Sequence, residues 1–318
     1  VVNSDGDLEI GQYSGGGNYF DGAIDDARVY NRALSQSEIR KLMGVRYVRS
    51  DGNDANDGLS WGTAKQSIQS AVDGAAPGDD VWVLAGTYFE AITVNKPIRL
   101  MGIENTTSTF EDLIGRTGTY PAVVDGQSAF RPILIKADAV LDGLSVQWGN
   151  ASGAGYDGVG GGILAESGSS VIRNCSITEN TAYNFGGGLA LFGSQAVSDC
   201  IVSGNEITYL TGGGNGMSLH GPSVISNVTF SGNGNPAIPA GLGGGLFVTF
   251  ASAVINNSTF YANNAYDGGG VYVQNASGAN SPQFNSCLFW NNSADINGGA
   301  ASIEVSTPSF RKCHFMGN

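Results

Sequence analysis

A nine-residue pattern recurs six times in the second half of the chain, and this pattern decides the fold. Its copies are IRNCSITEN (172–180), VSDCIVSGN (197–205), ISNVTFSGN (225–233), INNSTFYAN (255–263), FNSCLFWNN (284–292) and FRKCHFMGN (310–318). The asparagines that close the copies recur every 25–30 residues. A period of this length, kept over six units, is typical of a solenoid in which each unit stacks on its neighbours.

A glycine run followed by a short apolar segment precedes each copy of the pattern. These segments are GILA (162–165), GLAL (188–191), GMSL (216–219), GLFV (245–248) and GVYV (270–273), and Gly298-Gly299 opens a less regular sixth. Because residues i and i+2 lie on one face of a strand, each segment predicts one inward and one outward file of side chains. Two short strands and two turns account for most of a unit, so we expect no helix within it.

A leucine-rich repeat also fits the nine-residue pattern, and the segment after each closing asparagine decides between the two folds. A leucine-rich repeat needs a further apolar stretch there to build its convex side. This chain instead has NTAYNFGGG (180–188) and NNAYDGGG (263–270), in which glycine and asparagine favour turns. We therefore predict an all-β fold, a parallel β-helix (solenoid) with regular coils from about residue 160.

Two stretches resemble known families of this fold. The aligned GGG[ILV] and FxxN motifs resemble the passenger repeats of autotransporter-type polymorphic membrane proteins, and more broadly the right-handed β-helix superfamily that includes pectate lyases. The opening stretch DGLSWGTA (57–64) and PGDDVWVLAGTY (77–88) resembles the start of many secreted β-helix proteins, including one family of pectate lyases. The resemblance implies a secreted or cell-surface β-helix, and it leaves enzymes, adhesins and inert stalks as alternatives.

Residues 1–45 lie outside the repeat. The stretch YFDGAIDDARVYNRALSQSEI (19–39) resembles the closing segment of laminin-G/concanavalin-like jelly rolls. About 45 residues cannot bury a sandwich core alone, so the resemblance implies a C-terminal remnant of such a domain. Ser35 and Glu38 form a capping box that predicts a short helix. Asp21, Asp25 and Asp26 fit either a calcium site or an ordinary turn.

Residues 46–79 predict the strand and the helix that begin the solenoid. Thr63 and Gln66 form a candidate capping box for this helix. One apolar face follows at i, i+3, i+4 and i+7: Ile68, Ala71, Val72 and Ala75. Gly74 and Pro77 are expected to end the helix. The helix would cover the apolar end of the solenoid, and the parallel β-helix would occupy residues 80–318.

Composition excludes some partners. The chain has 318 residues with 49 glycines, only 14% charged residues and a formal net charge of −13. It has no basic run, which argues against nucleic acid and anionic membranes as partners. No apolar stretch is long enough for membrane insertion. Because the chain begins at Val1 and stops on a closing asparagine, we expect it to be a piece of a longer protein of unspecified oligomeric state.

The four cysteines occupy one position of the nine-residue pattern. Cys175, Cys200, Cys287 and Cys313 are therefore expected to form a column inside the solenoid. Neighbouring strands lie about 4.8 Å apart, which is slightly wide for the Cβ atoms of a relaxed disulfide. Buried free thiols are one interpretation, and disulfides between adjacent coils are the other.

Two outward files could carry chemistry. The file behind the glycines is Leu164, Ala190, Ser218, Phe247, Tyr272 and about Ser302, and the next is Glu166, Phe192, His220, Thr249, Gln274 and Glu304. Glu166 and His220 lie two coils apart, about 10 Å between backbones, and are the candidate catalytic acid–base pair. An ordinary solvated face is the alternative.

The aromatic members of these files are candidate carbohydrate-binding residues. Phe192, Phe247 and Tyr272, together with Phe250, could stack on sugar rings, because an aromatic face suits the apolar face of a pyranose. Packing of loops against the coil is the alternative.

Calcium is the one cofactor that the sequence suggests. Asp267 and Asp295 are candidate metal ligands, since they lie one coil apart at equivalent places before the glycine runs. Capping of turns by aspartate explains both residues without a metal. The closing asparagines predict a ladder of stacked side-chain amides along the axis.

The sequence favours a module that binds or presents polysaccharide. A lyase needs a base and calcium-binding carboxylates on one outward face, and this constellation cannot be mapped onto the two files. Enzymatic activity is therefore left open for this chain. The alternatives are a polysaccharide lyase or glycoside hydrolase acting on polyuronates, and a structural stalk or adhesin.

Overall fold

A computed structural model of the chain describes residues 30–34, 42, 44–107, 120–153, 155–166, 168–237, 239–276, 278 and 281–318. The chain divides into two compact units, Val1–Ile39 and Arg40–Asn318, and every element below belongs to the second. The expected capping box at 35–38 and the calcium candidates Asp21, Asp25 and Asp26 lie outside the described residues.

Three long parallel sheets form the walls of the second unit. Sheet 1 contains, in spatial order, β1 (Val45–Val48), β2 (Asp80–Leu84), β5 (Arg99–Ile103), β8 (Val140–Asp142), β12 (Val171–Arg173), β16 (Ala196–Ser198), β20 (Val224–Ser226), β23 (Val254–Asn256), β27 (Gln283–Asn285) and β31 (Ser309–Arg311). Sheet 2 contains β3 (Gly86–Tyr88), β6 (Ala122–Asp125), β9 (Leu144–Gln147), β13 (Ser176–Thr178), β17 (Ile201–Ser203), β21 (Thr229–Ser231), β24 (Thr259–Tyr261), β28 (Leu288–Trp290) and β32 (His314–Met316). Sheet 3 contains β4 (Ile92–Val94), β7 (Ile133–Ile135), β11 (Ile163–Ala165), β15 (Leu189–Leu191), β19 (Met217–Leu219), β22 (Leu246–Thr249), β26 (Val271–Gln274) and β30 (Ala301–Glu304).

Two small sheets follow sheet 2 in the coils. Their strands are β10 (Asn150–Ala151), β14 (Thr181–Ala182) and β18 (Glu206–Ile207), and β25 (Asn264–Ala265) with β29 (Ser293–Ala294). One coil thus runs from sheet 3 through sheet 1 to sheet 2 and then into a turn. The register pairs Ile172 with Val197 and Ile177 with Val202, as the aligned repeats require. The parallel β-helix is confirmed, and no helix is described between Asn263 and Val271.

Each unit was expected to contain two short strands, but its nine-residue pattern alone contains two, one in sheet 1 and one in sheet 2. In each copy the third residue has a positive φ between 49° and 56° and turns the chain from sheet 1 into sheet 2. These corner residues are Asn174, Asp199, Asn227, Asn257, Ser286 and Lys312. Asparagine tolerates this left-handed conformation best, which accounts for its frequency at the corner.

The glycine runs have a steric cause at two successive positions. Gly186 has φ 62°, in the region that glycine enters without a Cβ clash. Gly187 lies so close to the next coil that a Cβ there would collide with the Asn215 carbonyl oxygen. The run therefore lets adjacent coils approach at the turn into sheet 3.

The core contains one file from each sheet, and its composition changes along the axis. On sheet 2 the inward file begins with Tyr88, is aliphatic from Val124 to Val202, and becomes Phe230, Phe260 and Phe289 in the later coils. The rings of Phe230 and Phe260, and those of Phe260 and Phe289, stack with centroids 4.8 Å apart. This spacing matches the distance between parallel strands, so the rings stack because the backbone does.

The closing asparagines form the predicted ladder. The Oδ1 of Asn205 accepts hydrogen bonds from the Asn180 backbone N–H at 3.0 Å and from its Nδ2 at 2.9 Å. The Asn205 Nδ2 in turn donates to the Ile177 carbonyl and to the Asn233 Oδ1. The same bonds continue to Asn318, so buried amides and backbone groups are satisfied along the axis.

The cysteines form the expected column, and all four are free thiols. The Cys200 Sγ accepts a hydrogen bond from the Cys175 backbone N–H at 3.4 Å. In the same column, the Ser258 Oγ accepts one from the Val228 N–H. Burial raises the pKa of the Cys287 thiol to about 11, which keeps it protonated.

The helix that begins the solenoid is α1 (Ile68–Gly74), and it contacts β1, β2 and β4. Its buried residues include Ile68, Ala71 and Val72, as the pattern predicted. The predicted capping box is wrong, because a short 3₁₀ turn contains Thr63 and the N-cap is Ser67, whose hydroxyl accepts from the Ser70 N–H. No helix in the described residues is long and apolar enough to cross a membrane.

Candidate functional site

The outward file behind the glycine runs is covered rather than exposed. Leu164, Ala190 and Ser218 have no solvent contact, while Phe247 is 3% and Tyr272 6% exposed. The residues just before the glycine runs lie over this file and cover it. They pair between neighbouring coils through single parallel β-bridges and so form a ladder: Val159, Phe185, Gly213, Leu242 and Asp267. Val159 and Phe185 pack on Leu164 and Ala190 as a small second core.

This cover depends on a small residue at one point. A Cβ at Gly213 would collide with the Phe247 ring, so the ring occupies the space that a side chain would take. Burial of Phe247 and Tyr272 corrects the assumption that their file faces solvent. Sequence periodicity placed these side chains outside the coil but could not show what lies over them.

The second outward file does not join the two proposed catalytic residues. The Glu166 Oε2 lies 3.7 Å from the Lys136 Nζ. The His220 imidazole stacks face to face on the Phe192 ring at 4.3 Å, and Phe192 belongs to the coil between Glu166 and His220. Burial lowers the pKa of His220 to about 4, and its Nε2 is buried without a hydrogen-bond partner. His220 is therefore neutral near pH 7, and the acid–base pair remains a prediction without a contact to support it.

Aromatic contacts run from coil to coil along the outside of sheet 3. Tyr156 lies 5.3 Å from Phe192, His220 lies 6.1 Å from Phe247, and Phe247 lies 6.0 Å from Tyr272, all between ring centroids. We call these five residues the aromatic row: Tyr156, Phe192, His220, Phe247 and Tyr272. The row extends over the coils of β11 to β26, about 19 Å at about 4.8 Å per coil.

A carboxylate terminates the aromatic row. The Tyr272 hydroxyl and the Gln274 Nε2 each donate to the Glu304 Oε2 at 2.7 Å. These hydrogen bonds, that of Tyr272 first, lower the pKa of Glu304, so its exposed carboxylate is ionised near neutral pH. Acceptor oxygens therefore adjoin the buried end of the row.

Two side chains near the row present large apolar areas to solvent. Tyr156 is 58% exposed and covers part of Phe192. Phe250 is 67% exposed, directly after β22, and has a left-handed backbone with φ 52°. A bulky residue in this conformation is uncommon, and such positions occur often at functional sites. Phe192 and His220, the two rings that follow Tyr156 in the row, are half-buried.

The two candidate calcium ligands have separate surroundings. The Asp267 Oδ2 accepts a hydrogen bond from the Asn297 Nδ2 at 3.2 Å. Asp295 is exposed, and its backbone N–H donates to the Ala265 carbonyl. Within the described ranges, no three histidine, cysteine or acidic residues group as a metal site. Calcium at Asp267 and Asp295 stays a prediction.

Two exposed aromatic pairs were not predicted from the sequence. Tyr183 stacks on Tyr209 at 5.3 Å after the small sheet, and Tyr261 lies 4.8 Å from Trp290 on the outside of sheet 2. All four rings are between 38% and 48% exposed. Tyr261 and Trp290 occupy the same position of the nine-residue pattern, so the alignment of the repeats contained the signal.

Comparison with models of known protein families shows to which family the chain belongs. The family model described as the right handed beta helix region matches residues 145–318, more than half of the chain. The chain belongs to this family. A second model, that of the concanavalin A-like lectin/glucanases superfamily, matches residues 1–40 of this β-helix protein. That match confirms the laminin-G-like resemblance of the N-terminal stretch.

Solved structures similar to this β-helix share little sequence with it. Pectate lyase Pel9A is 16% identical with a TM-score of 0.48, and the match covers 81% of this chain and 78% of that one. Tailspike protein gp49 from Acinetobacter baumannii bacteriophage Fri1, a capsular polysaccharide depolymerase, is 12% identical with a TM-score of 0.44, covering 85% and 48%. The pectin methylesterase from Aspergillus niger is 17% identical with a TM-score of 0.37, covering 86% of each chain. These likenesses concern the fold alone. No curated protein matches the chain.

Proposed function

We propose that this β-helix binds polysaccharide along the outside of sheet 3, with the sugar chain parallel to the solenoid axis. The observation that carries the proposal is the continuous aromatic row, which begins at the exposed Tyr156 and ends at Tyr272, whose hydroxyl donates to the ionised Glu304. Aromatic rings offer an apolar surface for the apolar face of a sugar ring, and a few placed polar groups orient the ligand. Glu304 and Gln274 can accept and donate hydrogen bonds to sugar hydroxyls.

The exposed parts of the row define where sugar rings would contact it. Tyr156 of the row and Phe250, three residues after Phe247 along the chain, are the exposed rings, while Phe247 and Tyr272 are buried and hold the surface in place. The stacked Phe192 and His220 rings fix the middle of the row. A surface held by packing loses little side-chain entropy when a ligand binds.

Binding is proposed in preference to catalysis. Glycoside hydrolysis needs a pair of carboxyl groups across the scissile bond, and along the row Glu166 is engaged by Lys136. His220 is covered and neutral, so it does not fit the role of a general acid near neutral pH. The proposal includes an extracellular or cell-surface location, because a polysaccharide chain long enough for this row would be met there.

Substitution of the two exposed rings tests this function. We expect Tyr156→Ala and Phe250→Ala each to weaken binding to the recognised polysaccharide about tenfold, since one ring contact contributes about 1–1.5 kcal/mol. Isothermal titration calorimetry after a screen on a glycan array measures the effect. Phe247 and Tyr272 are unsuitable for this test, because truncating a buried aromatic residue costs about 3–5 kcal/mol of stability.

Trp290→Ala is the matched control, since this ring is comparably exposed but lies on the outside of sheet 2. Its affinity should stay at the wild-type level. Unchanged affinity in the Tyr156→Ala, Phe250→Ala double variant, or a loss confined to Trp290→Ala, would remove the aromatic row as the binding surface. A protein that binds no polysaccharide at all would favour the stalk or adhesin alternative.

A further inference from the structure

We infer that the polysaccharide bound along the aromatic row is neutral rather than uronate-bearing. This inference rests on the proposed function and names the chemical class of its ligand. It follows from the charges that lie on and around the row.

The group that lies at the end of the row is an anion, the ionised Glu304 carboxylate. Glu304 is exposed, and its Oε2 accepts from the Tyr272 hydroxyl and from the Gln274 Nε2, both 2.7 Å away. These two donors stabilise the charged form of the carboxylate. A sugar hydroxyl can donate to such a group, whereas a uronate carboxylate in the same place would be repelled by it.

The cations beside the row are already engaged by the protein. Lys136 is paired with Glu166. The Arg131 guanidinium donates to the backbone carbonyls of Tyr156, Asp157, Val159 and Gly160, and it thereby holds the turn that presents Tyr156. A polymer carboxylate would therefore have to share these cations with the partners that already neutralise or accept from them.

In the part of the chain that the structure describes, cations elsewhere in the coils do not supply a uronate track along sheet 3. Arg173 pairs with the buried Asp142 on sheet 1, with 3.0 Å between the Nε and Oδ2 atoms. Arg311 ends β31 of sheet 1 and Lys312 is the next corner residue, so both lie on a different wall in the last coil. Recognition of a polyuronate would require cations repeated along the axis beside the row.

The net charge of the whole chain also disfavours a uronate-bearing polysaccharide. With a formal net charge of −13, the protein repels a polyanion at long range, and salt reduces this repulsion. Calcium could bridge protein and polymer carboxylates, but the described residues contain no group of three histidine, cysteine or acidic side chains suited to hold it.

Polymer pairs that share a backbone test this inference. The full chain is titrated with a panel of neutral and uronate-bearing polysaccharides, which includes highly methyl-esterified homogalacturonan with polygalacturonate, and hydroxyethylcellulose with carboxymethylcellulose. Each is measured at low and high salt, with calcium chloride or with EDTA. We expect the tightest ligand of the panel to be neutral, and acidic members of a bound pair to bind about tenfold more weakly at low salt.

Removal of the Glu304 charge provides a second readout. Glu304→Gln should reduce the difference in binding affinity between the neutral and the acidic polymer of a bound pair. Glu104→Gln is the matched control, because it removes an equal charge from an exposed position after β5 of sheet 1, and it should leave the difference unchanged.

The outcomes separate this inference from the proposed function. If the tightest ligand is uronate-bearing, with or without calcium, and its affinity depends on Tyr156 and Phe250, the inference is overturned while the proposed function stands. If no member of the panel binds, or if binding ignores both rings, the proposed function fails and the inference fails with it.

Discussion

The His220 imidazole illustrates how a single side chain can be polar in sequence and apolar in its role. It stacks on Phe192 and meets the edge of Phe185, with ring centroids 4.3 and 5.1 Å apart. Its Nε2 is buried without a partner. His220 was a catalytic candidate because it belongs to the second outward file. In the structure its imidazole packs against aromatic rings.

Stability should depend on pH through His220. Burial lowers its pKa from 6.5 to about 4, so the unfolded chain binds the proton first as the pH falls. The contribution of the neutral His220 to the free energy of unfolding is complete above pH 6.5. It is lost progressively down to about pH 4, by up to about 3 kcal/mol. We expect His220→Phe to reduce this acid-induced loss, measured as urea midpoints between pH 7 and 4.

His314→Gln is the control for this experiment, because His314 is the other histidine and is exposed. Its pH profile should follow that of the wild type. Parallel profiles for His220→Phe and wild type would contradict the assignment of the acid sensitivity to His220.

Asn233 shows the cost of interrupting the amide ladder at one residue. Its Oδ1 accepts from the backbone N–H and the Nδ2 of Asn205, and its Nδ2 donates to Val202 and Asn263. Asn233→Ala leaves buried groups without partners at about 1–3 kcal/mol each. We expect a loss of about 3 kcal/mol or more in the free energy of unfolding, measured by chemical denaturation.

A half-buried asparagine outside the ladder provides the comparison. Asn256 accepts one hydrogen bond, from the Asn285 Nδ2 at 3.1 Å, and Asn256→Ala should cost less than about 1 kcal/mol. Equal losses for the two variants would show that the ladder contributes no more than a surface amide.

At the scale of elements, the strands follow from the repeat, but their ends do not. Inward positions of β12, β13 and β11 were predicted because their period is two. The corner between β12 and β13 was missed, since Asn174 has a left-handed backbone that period-two reasoning does not detect. Helix α1 was likewise predicted from its apolar face, whereas its N-cap was assigned to the wrong residue.

A distant carboxylate caps α1 and should stabilise it. The Glu90 Oε1 accepts from the Ile68 N–H at 2.7 Å and its Oε2 accepts from the Gln69 N–H at 2.9 Å. Glu90→Ala leaves both donors of the first turn unsatisfied, so we expect a loss of about 1–2 kcal/mol, measured by urea denaturation. Glu104→Ala removes an exposed carboxylate after β5 and should change stability little, and a similar loss in both variants would argue against the cap.

At the scale of the whole molecule, the solenoid unit contains its own core. The inward files from Val48 to Phe289 form one continuous hydrophobic cluster inside Arg40–Asn318. Helix α1 packs against β1 and β2 at the first coils. Each coil is stabilised mainly by its neighbours, as in other solenoids.

This organisation predicts that the second unit folds without the first. A chain comprising residues 40–318 should show the same far-ultraviolet circular dichroism band for β structure and the same urea midpoint as the full chain. The physical reason is that its buried residues and hydrogen-bond ladders lie within the unit. A midpoint clearly lower than that of the full chain would show that residues 1–39 stabilise the solenoid.

The sequence by itself determined the solenoid, the inward files, the cysteine column and the asparagine ladder. These features depend on the period along the chain, and equivalent residues of successive coils meet whenever parallel strands stack in register. The tertiary structure alone decided that Phe247 and Tyr272 are covered, that Phe192 separates Glu166 from His220, and that Glu304 ends the aromatic row. Those outcomes depend on the segments before the glycine runs, which fold over sheet 3 from neighbouring coils, and no local periodicity encodes which outward side chains they cover.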